Sequence, residues 1–573
     1  MDNSENSLKK KFGKLDGPLK KYAPYIFLFI LTLIVTLITY YRVLIQIEIG
    51  PVWDTYDFLS DALVFAGQGM GYADLTRPPL LPFITSIFFR LGYASPTTIF
   101  VVDGVMFIFG VIGFYLLLKL RFNEIESFLG SLLYATFPIV ISFVGVGLSD
   151  IPSVSLSIWA FYFTVLAVKK NSKFFYLSFP FVMFAFLTRY PAALMIFPMF
   201  LYILINRDIT KKIKDITVGI VASLLFIIPV LIFSYQKFGN PLYTFIAFFG
   251  LTSTSTPISP ENFSYNTNLL YFLENLPSYI GAQGVAVILI ILLGIIIYAG
   301  FNLRKSRDKK KLSFIFNFES SNIKIKLAIF LVFLLTFVGT FGQIFYMLSE
   351  VIFFVMCYVF YDLSKNLNIK DMDIHLLFFA WFMAFFIFHS VFVIKDNRYF
   401  VTMAPAVAYF LILGLSGVTG KLKFKVKNRN LMFPIFALIL TIMILASTIS
   451  YLPSVKQANT NLKVLDDNVA SASEWFVNYD PDYKNKTIYS DVSPYSGWYL
   501  KTNVKLMLIF KDNQSYSGGV KDYNFSPEDS KAFNQHLKNN NVDYYFCINK
   551  GLNLTSYKTV KQFGYVVIYE KKP

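Results

Sequence analysis

Five residues scattered along the chain are of types that could act together: Asp54 in VWDTYD, Arg77 in LTRPPL, Asp150 in GLSDIPS, Arg189 in LTRYPA and Arg398 in DNRYFV. A positioned carboxylate can take the proton from an attacking hydroxyl. A guanidinium grips phosphate oxygens with a planar, two-pronged fork. Two acids near a few arginines therefore suit a phosphate whose bond to another group is being broken. Each of the three arginines has proline or tyrosine as its next residue. Other acids and cations have plainer uses. Asp57 and Asp61 read as the wet face of an amphipathic helix, Asp150 could serve as a helix N-cap ahead of Ile151-Pro152, and Arg90 and Lys395 suit arginine or lysine snorkelling to headgroups.

The elements that must position these residues are membrane spans. The chain of 573 residues is 55% hydrophobic and 15% charged, against about 25% charged in ordinary soluble domains. Phe and Tyr together number 101, too many for a soluble core of this length. The net charge of +17 is explained by basic cytoplasmic loops and does not call for nucleic acid. Cys357 and Cys547, one in an apolar run and one in a polar tail, do not suggest a disulfide, and three histidines leave little material for a metal site. The first apolar run is long and lacks a small-residue cleavage site, so no cleavable signal is expected.

Runs of about 20 apolar residues predict about 13 transmembrane helices, at 22–45, 97–118, 127–146, 151–168, 173–187, 190–206, 215–235, 281–303, 325–342, 344–361, 374–394, 399–416 and 431–452. With the N-terminus cytoplasmic, the inner segments hold 30 Lys and Arg and the outer ones 6, the bias expected of that orientation. The expected organisation is a basic cytoplasmic N-terminus (1–21), a transmembrane catalytic domain (22–452) and an extracytoplasmic α/β domain (453–573). Within the last, TIYSDV, VKLMLIF, VDYYFCI and YVVIYE read as strands, and SPEDSKAFNQHLKNN as a helix capped by Ser526. Outer sequons at Asn262, Asn485, Asn513 and Asn553 agree with exposure. The long outer loop 46–96 holds two amphipathic segments suited to the membrane surface, WDTYDFLSDALVF with Asp54 ahead of its helix, and 79–91. The second long outer loop, 236–280, opens with QKFGNPLY.

WDTYDFLSDALVF and YADLTRPPLLPF, followed in order by GLSDIPSVSL, LTRYPAAL, FGNPLY and NRYFVTMAP, resemble the lipid-carrier-dependent GT-C glycosyltransferases. These include dolichyl-phosphate-mannose protein mannosyltransferases and aminoarabinose transferases. The similarity runs over roughly 20–415, and the tail, with YSDVSPYSGWYLKTNV, resembles archaeal members with an outer domain. The resemblance implies an inverting transfer of a monosaccharide from a polyprenyl (dolichyl) phosphate carrier to an acceptor hydroxyl on protein, glycan or lipid. It makes Asp54 the general base and Asp150 a second acid near the site. Arg77 stands where many members have lysine in a K-P-P motif that contacts the carrier phosphate, and Arg189 and Arg398, with Tyr190 and Tyr399, flank that phosphate. A divalent cation, magnesium or manganese, between Asp54 and Asp150 stays open as a cofactor. The WWDYG pattern of oligosaccharyltransferases is missing, which argues against transfer of a whole oligosaccharide. A polyprenyl-lipid flippase or transporter, with Glu350 and Asp103 as intramembrane acids, and a membrane-anchored binding protein are the rival readings.

Overall fold

The computed structural model describes residues 2–69, 73, 75–206, 209–248, 265–305, 321–365, 369–421, 425–426, 429–511, 514–516, 526–548 and 552–573. The sequons Asn262 and Asn513, and Tyr72 and Asp74 of the first long loop, lie outside the described residues. Asn485 and Asn553 are exposed.

The helices run α1 (Asp2–Ile49), α2 (Trp53–Phe65), α3 (Leu80–Arg90), α4 (Pro96–Leu118), α5 (Glu124–Thr136), α6 (Pro138–Phe143), α7 (Asp150–Lys169), α8 (Phe175–Thr188), α9 (Ile196–Ile205), α10 (Ile209–Phe238), α11 (Tyr243–Phe248), α12 (Tyr271–Glu274), α13 (Leu276–Lys305), α14 (Ser321–Thr340), α15 (Tyr346–Ser364), α16 (Met372–Val391), α17 (Ala404–Lys421), α18 (Met432–Ala458), α19 (Thr460–Tyr479), α20 (Ser493–Leu500) and α21 (Pro527–Asn539). Ten helices among the described residues are long and apolar enough to cross a membrane, so the protein is a multi-pass membrane protein. Of the other three expected spans, 173–187 and 190–206 are shorter apolar helices. The third, 127–146, is split at Pro138 into α5 and α6. Proline cannot donate to the preceding turn, and backbone freed within a membrane must find another partner. Gln283 Nε2 supplies it, donating to the Thr136 carbonyl at 2.8 Å.

The two ends of the bundle differ. At one end, Arg121 pairs with Asp371 at 2.9 Å and Lys169 with Asp373 at 3.0 Å, tying together basic segments that the charge bias assigns to the cytoplasm. At the other gather the first long loop, the turn before α7, the turn after α8, the segment 392–402 and the C-terminal region.

That C-terminal region holds a five-stranded mixed sheet in the order β4-β3-β7-β9-β8. Its strands are β3 (Ile488–Ser490), β4 (Val504–Leu506), β7 (Tyr544–Cys547), β8 (Tyr557–Phe563) and β9 (Val566–Lys571). Two short hairpins lie outside it, β1 (Lys425–Val426) with β2 (Arg429–Asn430), and β5 (Ile509–Lys511) with β6 (Gln514–Tyr516). β3, β4, β7 and β9 fall in the four expected segments. Helix α21 starts with Ser526 and Asp529 in a reciprocal capping box. β8, α19 and α20 stand outside the segments expected from the sequence.

Helix α2 departs most from expectation. It has no wet face: every residue from Thr55 to Leu63 is buried, including Asp57 and Asp61. One side packs against α3 and the other against α20 of the C-terminal region. The α20 residues that cover part of it lie more than four hundred positions away in sequence, so helical spacing could not reveal them.

Candidate active site

Asp54 lies in the first turn of α2, which begins at Trp53, and not ahead of the helix as expected. The N-terminus of a helix favours a carboxylate there. Its two oxygens hold two guanidinium groups: Arg77 Nη2 donates to Oδ1 at 3.1 Å and Arg398 Nη1 to Oδ2 at 2.8 Å. The same Arg77 nitrogen donates to Asp57 Oδ2 at 2.6 Å. Asp57 is thus a buried anchor for Arg77 and not a solvated surface acid.

Each arginine is held by its own element. Arg77 sits in the loop between α2 and α3, where Asp61 accepts the Leu75 backbone N–H at 3.0 Å. Leu75 is at φ +55°, a left-handed conformation disfavoured for a branched side chain, so that bond holds an otherwise costly turn. Arg398 lies in a 3-10 turn, Asn397–Thr402. Asp396 caps the turn and pairs with Arg398 Nε at 3.2 Å, while Trp381 Nε1 donates to the Thr402 carbonyl at 2.9 Å. Asn397 Oδ1 accepts from Tyr271 and Tyr279, each at 2.8 Å.

Burial by itself would raise the Asp54 pKa. Arg77 and Arg398 override it and hold the carboxyl far below the usual carboxylate range. Burial acts on Arg398 to lower its pKa, and Asp54 and Asp396 reverse that, keeping it above its ordinary value.

Asp54, Arg77 and Arg398 line one cavity of about 930 Å³ between the bundle and the C-terminal region. All three side chains are about a quarter exposed. Asp150 and Arg189 form a separate pair. Asp150 is the first residue of α7, buried, with Ser149 in the N-cap position. It is therefore not the N-cap, and its carboxylate meets Arg189 Nη1. The two groups are joined by Tyr399, whose ring lies 5.3 Å from the Arg189 guanidinium carbon and 5.6 Å from that of Arg398. Tyr190 is buried against Phe186 and Phe245. Neither Asp150, Arg189, Tyr190 nor Tyr399 lines the cavity.

Among the described residues no group of three or more His, Cys, Asp or Glu is placed to hold a metal ion. Asp54 and Asp150 are committed to different arginines, an arrangement that does not fit a cation shared between them.

Two residues beneath the site escaped the sequence reading. His389, in the last turn of α16, is buried, has no hydrogen-bond partner on either ring nitrogen among the described residues, and stacks on Tyr399 at 4.6 Å. Arg42 of α1 is buried and lines the cavity, with Nε donating to the Ile141 carbonyl at 3.0 Å and Nη2 to Ser142 O and Gln46 Oε1, each at 2.9 Å. An arginine inside an apolar run was the available signal for it. Lys395 does not snorkel. It is buried and donates to the carbonyls of His389 at 2.9 Å and Ser390 at 2.7 Å and to Phe392 at the end of α16. Burial pushes its ammonium down to about 8. Arg90 likewise donates to the Phe65 carbonyl at the end of α2. Asp103 accepts the Gly147 N–H at 2.9 Å and fixes the loop before α7.

Residues 76–233 match the family described as dolichyl-phosphate-mannose-protein mannosyltransferase. That stretch includes Arg77, Asp150 and Arg189 but neither Asp54 nor Arg398. The fold is similar to that of ArnT from Cupriavidus metallidurans over 94% of this chain and 97% of that one. The TM-score is 0.52 both with the structure bound to undecaprenyl phosphate, at 11% identity, and with the apo structure, at 12%. An oligosaccharyltransferase from Archaeoglobus fulgidus, in complex with zinc and sulfate, aligns with a TM-score of 0.42 at 12% identity, over 89% of this chain and 67% of that one. No curated protein matches the chain by sequence.

Proposed function

We propose that this multi-pass membrane protein, whose fold is that of the GT-C glycosyltransferases, moves a monosaccharide from a polyprenyl phosphate to an acceptor hydroxyl on the non-cytoplasmic side of the membrane. The observation that carries this reading is Asp54 held between Arg77 and Arg398 on the wall of one large cavity.

A carboxylate clamped by two guanidinium groups is a weak base. A donor phosphate is the better ligand for those forks, and as Arg77 and Arg398 turn to it, Asp54 recovers its basicity. The acceptor oxygen then attacks the anomeric carbon opposite the phosphate. A carbon–oxygen bond forms there as the bond to the phosphate oxygen breaks. The bonding electrons leave with the phosphate, the acceptor proton passes to Asp54, and the configuration inverts. Phosphate is a weak base and needs no proton to leave; the arginines offset the charge it gains. Asp150 and Arg189 act one layer out, through Tyr399. An apolar groove of about 550 Å³, lined by Ile196 and Phe200 of α9 and Val351 and Phe354 of α15, suits the carrier's hydrocarbon tail.

The test is transfer of labelled sugar from a polyprenyl phosphate by membranes containing the full chain. Asp54→Asn is expected to lower the rate by about 10²–10⁴-fold and Arg398→Ala by about 10²–10³-fold. Wild-type rates in both variants would remove the assignment, and movement of the lipid-linked sugar across the membrane without transfer would replace it with a flippase.

A further inference from the structure

The C-terminal region contributes side chains to the same cavity, and their chemistry differs from that of the Asp54 wall. Ser493, at the start of α20, and Asn503 and Lys505, on and beside β4, all line it. β4 is an edge strand, and residues two apart on a strand leave on the same side. Val504 between them is buried in the core, while Asn503 and Lys505 are exposed. Among the described residues neither side chain has a hydrogen-bond or ion-pair partner in the protein. Lys505 Nζ lies 5.6 Å from the ring centre of Tyr489.

This wall is fixed against the catalytic helix. Tyr495 accepts the Trp53 backbone N–H at 3.1 Å, and the two rings meet edge to face at 5.3 Å. Tyr56 and Tyr499 both donate to Asp466 of α19, the latter at 2.8 Å. Ser490 and Asp491 brace the chain before Ser493, the first accepting Val492 N at 2.9 Å and the second Ile548 N at 3.1 Å. Trp53, one residue before Asp54, also lines the cavity.

We propose that Ser493, Asn503 and Lys505, with the indole of Trp53, form the acceptor subsite, and that the acceptor is a glycan whose hydroxyl is presented to Asp54. The proposal rests on the glycosyl-transfer reading. An amide, an ammonium and a hydroxyl supply the mixed donors and acceptors that a polyhydroxylated ring requires. The indole supplies an apolar plate for the ring's C–H face. The guanidinium groups in the lining belong to the bundle wall; the C-terminal wall brings one lysine and one carboxylate, Asp491, which is no anion clamp. β4 spans three residues, too short a ladder for an extended peptide to add as a strand, where main-chain bonds carry the affinity. The cavity, at about 930 Å³, lies near the upper end of the ~300–1,000 Å³ usual for ligand sites, room for acceptor rings beside the transferred sugar.

The experiment uses the full chain in lipid nanodiscs with polyprenyl-phosphate mannose, glucose and galactose in parallel. A labelled hexose trisaccharide and a serine/threonine peptide serve as acceptors. The wild type is expected to glycosylate the trisaccharide. In Asn503→Ala and Lys505→Ala the trisaccharide KM should rise about tenfold each, the loss of one well-made hydrogen bond, while the donor KM stays put. Lys558→Ala, on the far edge strand, is the control. Trisaccharide transfer with unchanged KM in both variants overturns the subsite and leaves the transferase standing. Transfer to the peptide alone overturns the glycan. No transfer to either acceptor by the wild type overturns the glycosyl-transfer reading, and the subsite with it.

Discussion

Asp54 concentrates the site's chemistry because it is both the intended base and the ligand of two arginines. Its folded pKa is depressed, so its ionisation contributes stability above the unfolded carboxyl value of about 3.9, and that contribution is lost as pH falls through the lower folded value. In the free enzyme it stays ionised through mild acid. The profile of kcat/KM against pH, which reports free-enzyme groups, is therefore expected to show no acid limb from Asp54 between about pH 5 and 8; a limb in that window that vanishes in Asp54→Asn would contradict the double clamp. His389 allows a second prediction at this scale. Its nitrogens have no hydrogen-bond partner among the described residues and its ring supports Tyr399, so shape and not chemistry should matter. His389→Phe is expected to keep activity within about threefold while His389→Ala loses more, because a cavity beneath Tyr399 frees the ring that lies between Arg189 and Arg398.

At the scale of elements, the loop carrying Arg77 is held by a helix that the sequence presents as amphipathic. Asp57 and Asp61 are the reason: one is an ion-pair anchor, the other an acceptor for a backbone N–H in a left-handed turn. Asp61→Ala removes that acceptor, and an unsatisfied buried donor costs about 1–3 kcal/mol. The variant should unfold at a lower temperature in detergent and lose transfer through a misplaced Arg77. The loop before α7 is held in the same manner. Gly147 has φ +81°, and a Cβ there would stand 2.9 Å from Thr55 Cγ2 and Ile99 Cγ2. Gly147→Ala is expected to destabilise by about 1–3 kcal/mol, measured by the same thermal unfolding.

For the whole molecule, the decisive contact is between α2 and the C-terminal region. Tyr56, Asp466 and Tyr499 form a hydrogen-bonded cluster across it, and the Tyr56 ring also packs at a tilt against Tyr495, 4.5 Å between centres. Gly50 allows the approach: at φ +89° it would place a Cβ 2.9 Å from Asp466 Oδ2. A double-mutant cycle of Tyr56→Phe and Asp466→Asn, read by thermal unfolding, is expected to give a coupling of about 0.5–3 kcal/mol. Additive effects would mean that the region docks without this cluster.

The sequence by itself determined ten of the thirteen expected spans, through runs of apolar residues that only a bilayer tolerates. It also determined that Asp54, Asp150 and the three arginines share one end of the bundle, because successive spans alternate sides. The capped helix α21 and the β3, β4, β7 and β9 segments were legible for the same reason: caps and strand composition act locally. Tertiary structure alone decided that α2 is buried, that Asp57 grips Arg77, that Asp150 and Arg189 stand behind Tyr399, and that β4 closes the cavity. Each of these depends on a partner outside the element itself, from 20 positions away for Asp57 and Arg77 to more than 400 for α2 and α20. No local periodicity encodes which polar face will meet water and which will meet another part of the chain.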